Sequence, residues 1–164
     1  MEGILKRFVL LAVLGAFLPS VAHAGPPADA VRYFYTTFEF EGDPAMRDRF
    51  AGPAKEAFDK NDKRIEGGDD IGCIDFSLAL DAQDYDDEEI ARTLKLDEKV
   101  NGDTAEVTAT FHLFKDEDVS EGEAVDASRE VLWTLKNVSG AWKITDIASK
   151  TGDWKLSEFA CDAE

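Results

Sequence analysis

Apolar and polar positions alternate most cleanly from Arg129 to Ala148, REVLWTLKNVSGAWKITDIA. Val131, Trp133 and Leu135 alternate with Glu130, Thr134 and Lys136, the period of two expected of a strand with one face on a core. Ser139-Gly140 supplies a tight turn, because glycine takes the positive φ that a hairpin needs. On the return, Trp142, Ile144 and Asp146 alternate with Lys143, Thr145 and Ile147. A second hairpin is predicted around Asn101-Gly102. It joins a strand over 92–100, with Leu94 and Leu96 inward, to one in which Ala105, Val107, Ala109, Phe111 and Leu113 alternate with Glu106, Thr108, Thr110 and His112. A further strand is predicted where Ile74, Phe76, Leu78 and Leu80 alternate with Asp75, Ser77 and Ala79.

Upstream the period lengthens. Val31, Phe34, Tyr35 and Phe38 form one apolar stripe at helical spacing, predicting a helix over 28–40 that Gly42 ends. Asp43-Pro44 is a cap followed by proline at the first helical position, and opens a short helix carrying Met46 and Phe50. After Gly52-Pro53 a third helix places Ala54, Ala57, Phe58, Asn61 and Ile65 on one side, and Gly67-Gly68 stops it. Residues 81–89 form an acidic connector, and 115–128 an acidic loop without apolar periodicity. Trp154, Leu156 and Phe159 give the tail a reason to pack on the body. Helices followed by antiparallel strands define an α+β domain with its helices on one face of the sheet. Strong twist around a long first helix would make that sheet a cone.

The first two dozen residues stand apart from this plan. Lys6 and Arg7 precede an apolar run from Phe8 to Leu18, then Pro19, Ser20 and the small-x-small triplet Ala22-His23-Ala24. The run is too short to span a hydrocarbon core of about 30 Å. The pattern predicts a signal peptide over 1–24, cleavage near Ala24, and one domain over 25–164 delivered to the periplasm or secreted. No cysteine follows the cleavage region, which argues against a lipid anchor. The formal charge is −17, and loss of Glu2, Lys6 and Arg7 makes the remainder one unit more negative. That balance opposes nucleic acid, whose affinity comes from lysine and arginine on phosphates, and anionic membrane surfaces. It gives solubility, and it would steer a basic partner. The two cysteines, Cys73 and Cys161, are expected to pair in an oxidising compartment.

The order of helices and hairpins, closing on Trp142-Lys143-Ile144-Thr145-Asp146-Ile147, resembles the nuclear transport factor 2-like, or cystatin-like, fold. Within it, Gly72-Cys73-Ile74-Asp75-Phe76 followed by Asp81-Ala82-Gln83-Asp84-Tyr85 resembles a family of exported bacterial domains of unknown function. In that family a segment ending Leu-Asp-Phe precedes Ala-Gln-Asp and an aromatic. The resemblance implies a cone-shaped α+β fold and an envelope location, and it carries over no catalytic residue. The acidic insertion 115–128 and the cysteine-bearing tail depart from the family pattern.

Candidate chemistry is sparse. Asp75, if buried in an apolar cavity, would have a raised pKa and could act as a general base, with Tyr35 as the acid; otherwise it is a strand residue facing water. Phe34, Phe38, Phe111, Trp133 and Trp142 either line a pocket at the mouth of the cone or form plain core. The acidic run from Asp81 to Glu89 fails the calcium-loop pattern, since Gln83 and Tyr85 take ligand positions and no glycine makes the turn. In the loop after Lys115, Gly122 comes one residue late and Ala127 stands where the closing glutamate belongs. His112, the one histidine left after cleavage, cannot make a zinc site alone, and no Gly-x-Ser-x-Gly marks a serine nucleophile. No metal or cofactor is therefore expected. Two functions remain: a non-catalytic module binding a basic protein or a small ligand, or an isomerase or hydratase using a carboxylate in the cone. A homodimer would form through the open sheet face carrying Thr108, Thr110 and His112.

Overall fold

The computed structural model describes residues 26–68, 71–115 and 127–161. The predicted signal peptide and most of the acidic insertion lie outside the described residues. Helix α1 spans Pro27–Thr37, a 3-10 turn Pro44–Arg49, α2 Gly52–Glu66 and α3 Asp87–Thr93. The strands are β1 Lys95–Asn101, β2 Thr104–His112, β3 Ser128–Val138, β4 Ala141–Ser149 and β5 Trp154–Lys155, and a 3-10 turn, Leu156–Glu158, follows. Among the described residues the strands form one open, antiparallel five-stranded sheet in the order β1-β2-β3-β4-β5. The α+β class is thus as the sequence predicts. No described helix is long and apolar enough to cross a membrane.

The main hairpin is where the alternation puts it. Ser139 and Gly140 both take positive φ, 55° and 88°, the signature of a turn whose twist suits a two-residue hairpin. Ile147 departs from simple alternation. A β-bulge shifts the register between Thr134 and Leu135, so that these residues face Asp146 and Ile144 and Thr145 is left unpaired. The extra residue turns both Ile144 and Ile147 into the core, where they are 1% and 0% exposed. Thr145 Oγ1 donates to the Thr134 carbonyl at 3.1 Å.

Helix α1 ends at Thr37, earlier than the apolar stripe suggests. Phe38 closes it in the left-handed region, φ 52°, donating its N–H to the Phe34 carbonyl. The stripe of Val31, Phe34 and Tyr35 lies on the sheet, with the Phe34 ring stacked 5.5 Å from Trp133 and the Tyr35 ring 5.2 Å from Phe111. The Asp43 side chain caps the 3-10 turn, accepting from the Ala45 N–H at 2.7 Å. Helix α2 buries Ala54, Ala57, Phe58 and Asn61. Ile65, expected on the same face, is 46% exposed.

The 74–80 stretch departs furthest from its sequence pattern. The expected strand is a chain of turns, with only a bridge from Ser77 to Ala82 among the described residues. The cause is competition for the backbone. Asn61 Oδ1 accepts from the N–H groups of Cys73 and Ile74 at 2.7 and 3.1 Å. The Glu41 carboxylate takes those of Leu78 and Ala79 at 3.1 and 2.8 Å. Donors committed to side chains are not free to build a ladder. The end of the acidic connector is helical instead: Asp86 caps α3 through the Glu89 N–H, and Asp87, Glu88 and Glu89 suit the positive end of its dipole. The strand expected over 92–100 therefore begins only at Lys95.

Candidate functional site

The irregular segment from Ile71 to Asp86 is held to the body at four places. Asn61 fixes its start from α2, and Cys73 is bonded to Cys161, with Cα atoms 5.5 Å apart at a sequence separation of 88. Glu41, fully buried, grips its middle and also accepts from Ser77 Oγ at 3.2 Å. Asp81 fixes its end. The Asp81 carboxylate accepts from Ser149 Oγ at 2.6 Å and from Trp154 Nε1 at 2.5 Å, with Arg129 3.8 Å away. The tail packs as the sequence predicts, with Leu156 and Cys161 buried and the rings of Phe76, Trp154 and Phe159 clustered. Asp146 secures it by accepting from the Ser157 N–H and Oγ at 3.1 and 2.6 Å.

Gly72 shows how tight the first tie is. It has φ +76°, and a Cβ built there would lie 2.4 Å from Asn61 Oδ1. Gly72→Ala is expected to cost about 2 kcal/mol or more, because a left-handed alanine is strained and Asn61 would release the part-buried N–H of Cys73 and the buried N–H of Ile74. Urea denaturation of the variant beside the wild type measures this directly.

The structure separates the two residues proposed for acid–base work. The Tyr35 hydroxyl is buried, donates to the Ala79 carbonyl at 2.8 Å and accepts from Trp133 Nε1 at 3.2 Å. Burial holds its pKa well above the ordinary phenol value, against the Trp133 hydrogen bond, with Glu41 adding to the rise. Asp75 is exposed, on the outer side of the Ile71–Asp86 segment. Phe34, Phe111 and Trp133 come together in the space between α1 and the sheet and are at most 2% exposed. Phe38 and Trp142 are half-buried at its edges. Glu41, which carries no distinguishing mark in the sequence, is the buried carboxyl of this region. Burial pushes its pKa up to about 7, even though the Ala79, Leu78 and Ser77 donors favour the charged form.

The depressions of the described surface include two of several hundred Å³. One, of about 580 Å³, lies on the Ile71–Asp86 segment. Ile74, Phe76 and Ala82 form its floor, and Phe40, Ile71 and Tyr85 its walls, with Asp75 and Gln83 on the rim. The other, of about 520 Å³, lies at the end of β1, β2 and β3, where Lys95, Thr110, His112 and Glu130 meet the end of α3. Its arginines are engaged: Arg92 pairs with Glu89, holding that carboxyl below its usual range, and Arg129 donates to the Asp81 carbonyl at 3.3 Å. Thr108, Thr110 and His112 share the face of β2 opposite the buried Ala105, Val107, Ala109 and Phe111, as expected, and at its end Thr110 and His112 approach α3. Among the described residues no group of three or more His, Cys, Asp or Glu could hold a metal ion. No buried side-chain nitrogen or oxygen there lacks a hydrogen-bond partner.

No family model matches the chain, and neither does any curated protein. Two solved structures are similar in part. A chain of the type VI native effector–immunity complex Tae3–Tai3 from Ralstonia pickettii shares 20% identity, with a TM-score of 0.47 over 76% of this chain and 94% of that one. A protein of unknown function from Bacteroides thetaiotaomicron VPI-5482 shares 22% identity, with a TM-score of 0.39 over 74% of this chain and 82% of that one.

Proposed function

We propose that this protein is a non-catalytic module of the bacterial envelope that binds another protein. In this reading residues 1–24 are a signal peptide, and residues 25–164 form one domain of the nuclear transport factor 2-like class, working in the periplasm or outside the cell. The Cys73–Cys161 disulfide supports that compartment, since such bonds persist where the surroundings oxidise. Helices laid on one face of an antiparallel meander support the fold assignment.

One observation carries the functional reading. The polar groups of the interior are used up in holding an irregular segment still, and that segment presents apolar side chains to solvent. Glu41, Asn61, Asp81 and the Tyr35 hydroxyl all act on backbone or on neighbouring side chains. An isomerase needs a base and an acid facing one reacting atom. Here the Asp75 carboxyl is at the surface and the Tyr35 hydroxyl is committed inside. A small-ligand site needs convergent polar groups to orient its guest. A protein partner needs neither. The strongly acidic surface selects against nucleic acid and favours a basic protein.

The test is to incubate the mature protein with an envelope extract of its host, crosslink, and weigh the product, beside a thermal-shift screen of envelope metabolites. A saturable complex of fixed stoichiometry with one protein species supports the proposal. Stabilisation by a metabolite alone, or turnover in an isomerase assay without any complex, overturns it.

A further inference from the structure

The apolar depression on the Ile71–Asp86 segment gathers exposed hydrophobic side chains. Phe40, Ile71 and Tyr85 are large hydrophobics left 40%, 64% and 38% exposed, and they stand around one opening. The positions of Phe40 and Tyr85 are set before any partner arrives. The Phe40 ring lies over Gly42, so close that a Cβ there would meet it at 2.4 Å. The Tyr85 ring is stacked on Phe38, 5.4 Å away and tilted by 17°. The floor is pinned by the disulfide and by the Glu41 and Asn61 contacts. Apolar side chains held ready in this way lose little entropy when they are covered.

Among the described residues, the lining of the opening has one charged side chain, Asp75, and no lysine or arginine; the nearby Lys115 is paired with Asp86, 3.7 Å away. Between Arg64 and Arg92 the sequence has ten aspartates and glutamates and no lysine or arginine. Of these, Asp75 lies on the rim and Asp84 is next to Tyr85 in sequence, both exposed; outside that run, Glu39 is exposed next to Phe40. Asp81 and Glu89 are spent internally, on Trp154 and Ser149 and on Arg92.

Resting on the reading of this protein as a protein-binding module, the geometry points to this groove as the docking site for a cationic protein segment, one presenting an aliphatic or aromatic side chain flanked by lysine or arginine. The apolar side chain fills the groove between Ile71 and Tyr85. The flanking cations meet Asp75 and Asp84, and a guanidinium can lie on the Tyr85 or Phe40 ring face. Other occupants fit less well. A second copy of this chain would set one acidic rim against another. An anionic membrane or a nucleic acid meets the same repulsion. A small molecule finds no unpaired buried polar group to orient it among the described residues.

The experiment is an amide NMR titration of the mature protein with a short peptide of alternating arginine and leucine, at low and high salt. Peptides of glutamate with leucine and of arginine with serine serve as controls. Saturable shifts are expected at Phe40, Ile71, Asp75, Phe76 and Tyr85, with weaker binding at high salt and with either control. Ile71→Ser and Asp84→Lys, both at exposed positions, should each weaken binding about tenfold without changing the thermal midpoint. Shifts that map to Thr108, Thr110 and Leu132 on the open sheet face would overturn the site while leaving the protein-binding reading intact. Equal binding of the glutamate peptide, or no saturable shift, would overturn the assigned partner chemistry. Self-association abolished by Ile71→Ser would place a second copy in the groove and likewise overturn it. The protein-binding reading itself falls only if the envelope extract yields no complex.

Discussion

Replacing Cys73 and Cys161 together by serine is expected to destabilise the protein by about 4–5 kcal/mol. The figure follows from the chain entropy returned to the unfolded state when a loop closed across 88 residues is opened. It is a large fraction of the roughly 5–15 kcal/mol that holds a domain of this size folded. The loss should start locally. Cys161 ties down a tail whose other holds are Leu156, the cluster of Phe76, Trp154 and Phe159, and the Asp146 contacts to Ser157. Trp154 is part of that cluster, so its fluorescence should report release of the tail before the sheet unfolds. Urea denaturation with and without reductant, followed at the indole and by far-ultraviolet circular dichroism, separates the two events. Superimposable transitions for oxidised and reduced protein would show that the bond contributes nothing.

Glu41→Ala is expected to cost about 3 kcal/mol, because it strands the N–H groups of Leu78 and Ala79 and the Ser77 hydroxyl in a buried site. The ionisation of Glu41 adds a pH dependence whose sign is set by the direction of its shift. Its pKa is raised from 4.5 in the open chain to about 7 in the fold. Folding therefore favours the protonated form. Its contribution is present in full below pH 4.5 and is lost as the pH climbs through 7. Between those limits the wild type should lose about 3 kcal/mol that Glu41→Gln, which cannot ionise, does not lose. The amide keeps one acceptor but turns an N–H group toward a backbone donor, so the variant is also expected to be less stable than the wild type at pH 5. Urea midpoints of both proteins from pH 5 to 8 provide the comparison. Parallel profiles would mean that Glu41 is charged throughout the range.

These two ties show which parts of the molecule could be read from its sequence. The hairpin through Ser139-Gly140, the alternation in β2, the stripe of α1 and the pairing of the two cysteines each follow from a local rule, a period or a count. The 74–80 stretch broke its own pattern because side chains distant in sequence took its backbone donors. Glu41 lies 38 residues before Ala79, in a run where Phe38-Glu39-Phe40-Glu41 looks like surface alternation. Nothing local marks it as buried. Asn61 did carry a mark: a polar residue in the line of Ala54, Ala57 and Phe58 must find partners if that face is covered. A period of two sets Ile147 opposite to Ile144, and it cannot anticipate the bulge that turns both inward. The groove was illegible for the same reason as the 74–80 turns. Its walls come from Phe40, Ile71 and Tyr85, which only the tertiary ties bring around one opening.

Amide hydrogen exchange of the free protein tests the central claim most directly, namely that the irregular segment is a fixed platform and not a mobile loop. The N–H groups of Cys73, Ile74, Leu78 and Ala79 are bonded to side chains of Asn61 and Glu41. They should exchange about as slowly as those in the middle of β2 and β3. Exchange at the rate of an unprotected surface loop would show that the platform does not exist before a partner binds, and would contradict the account.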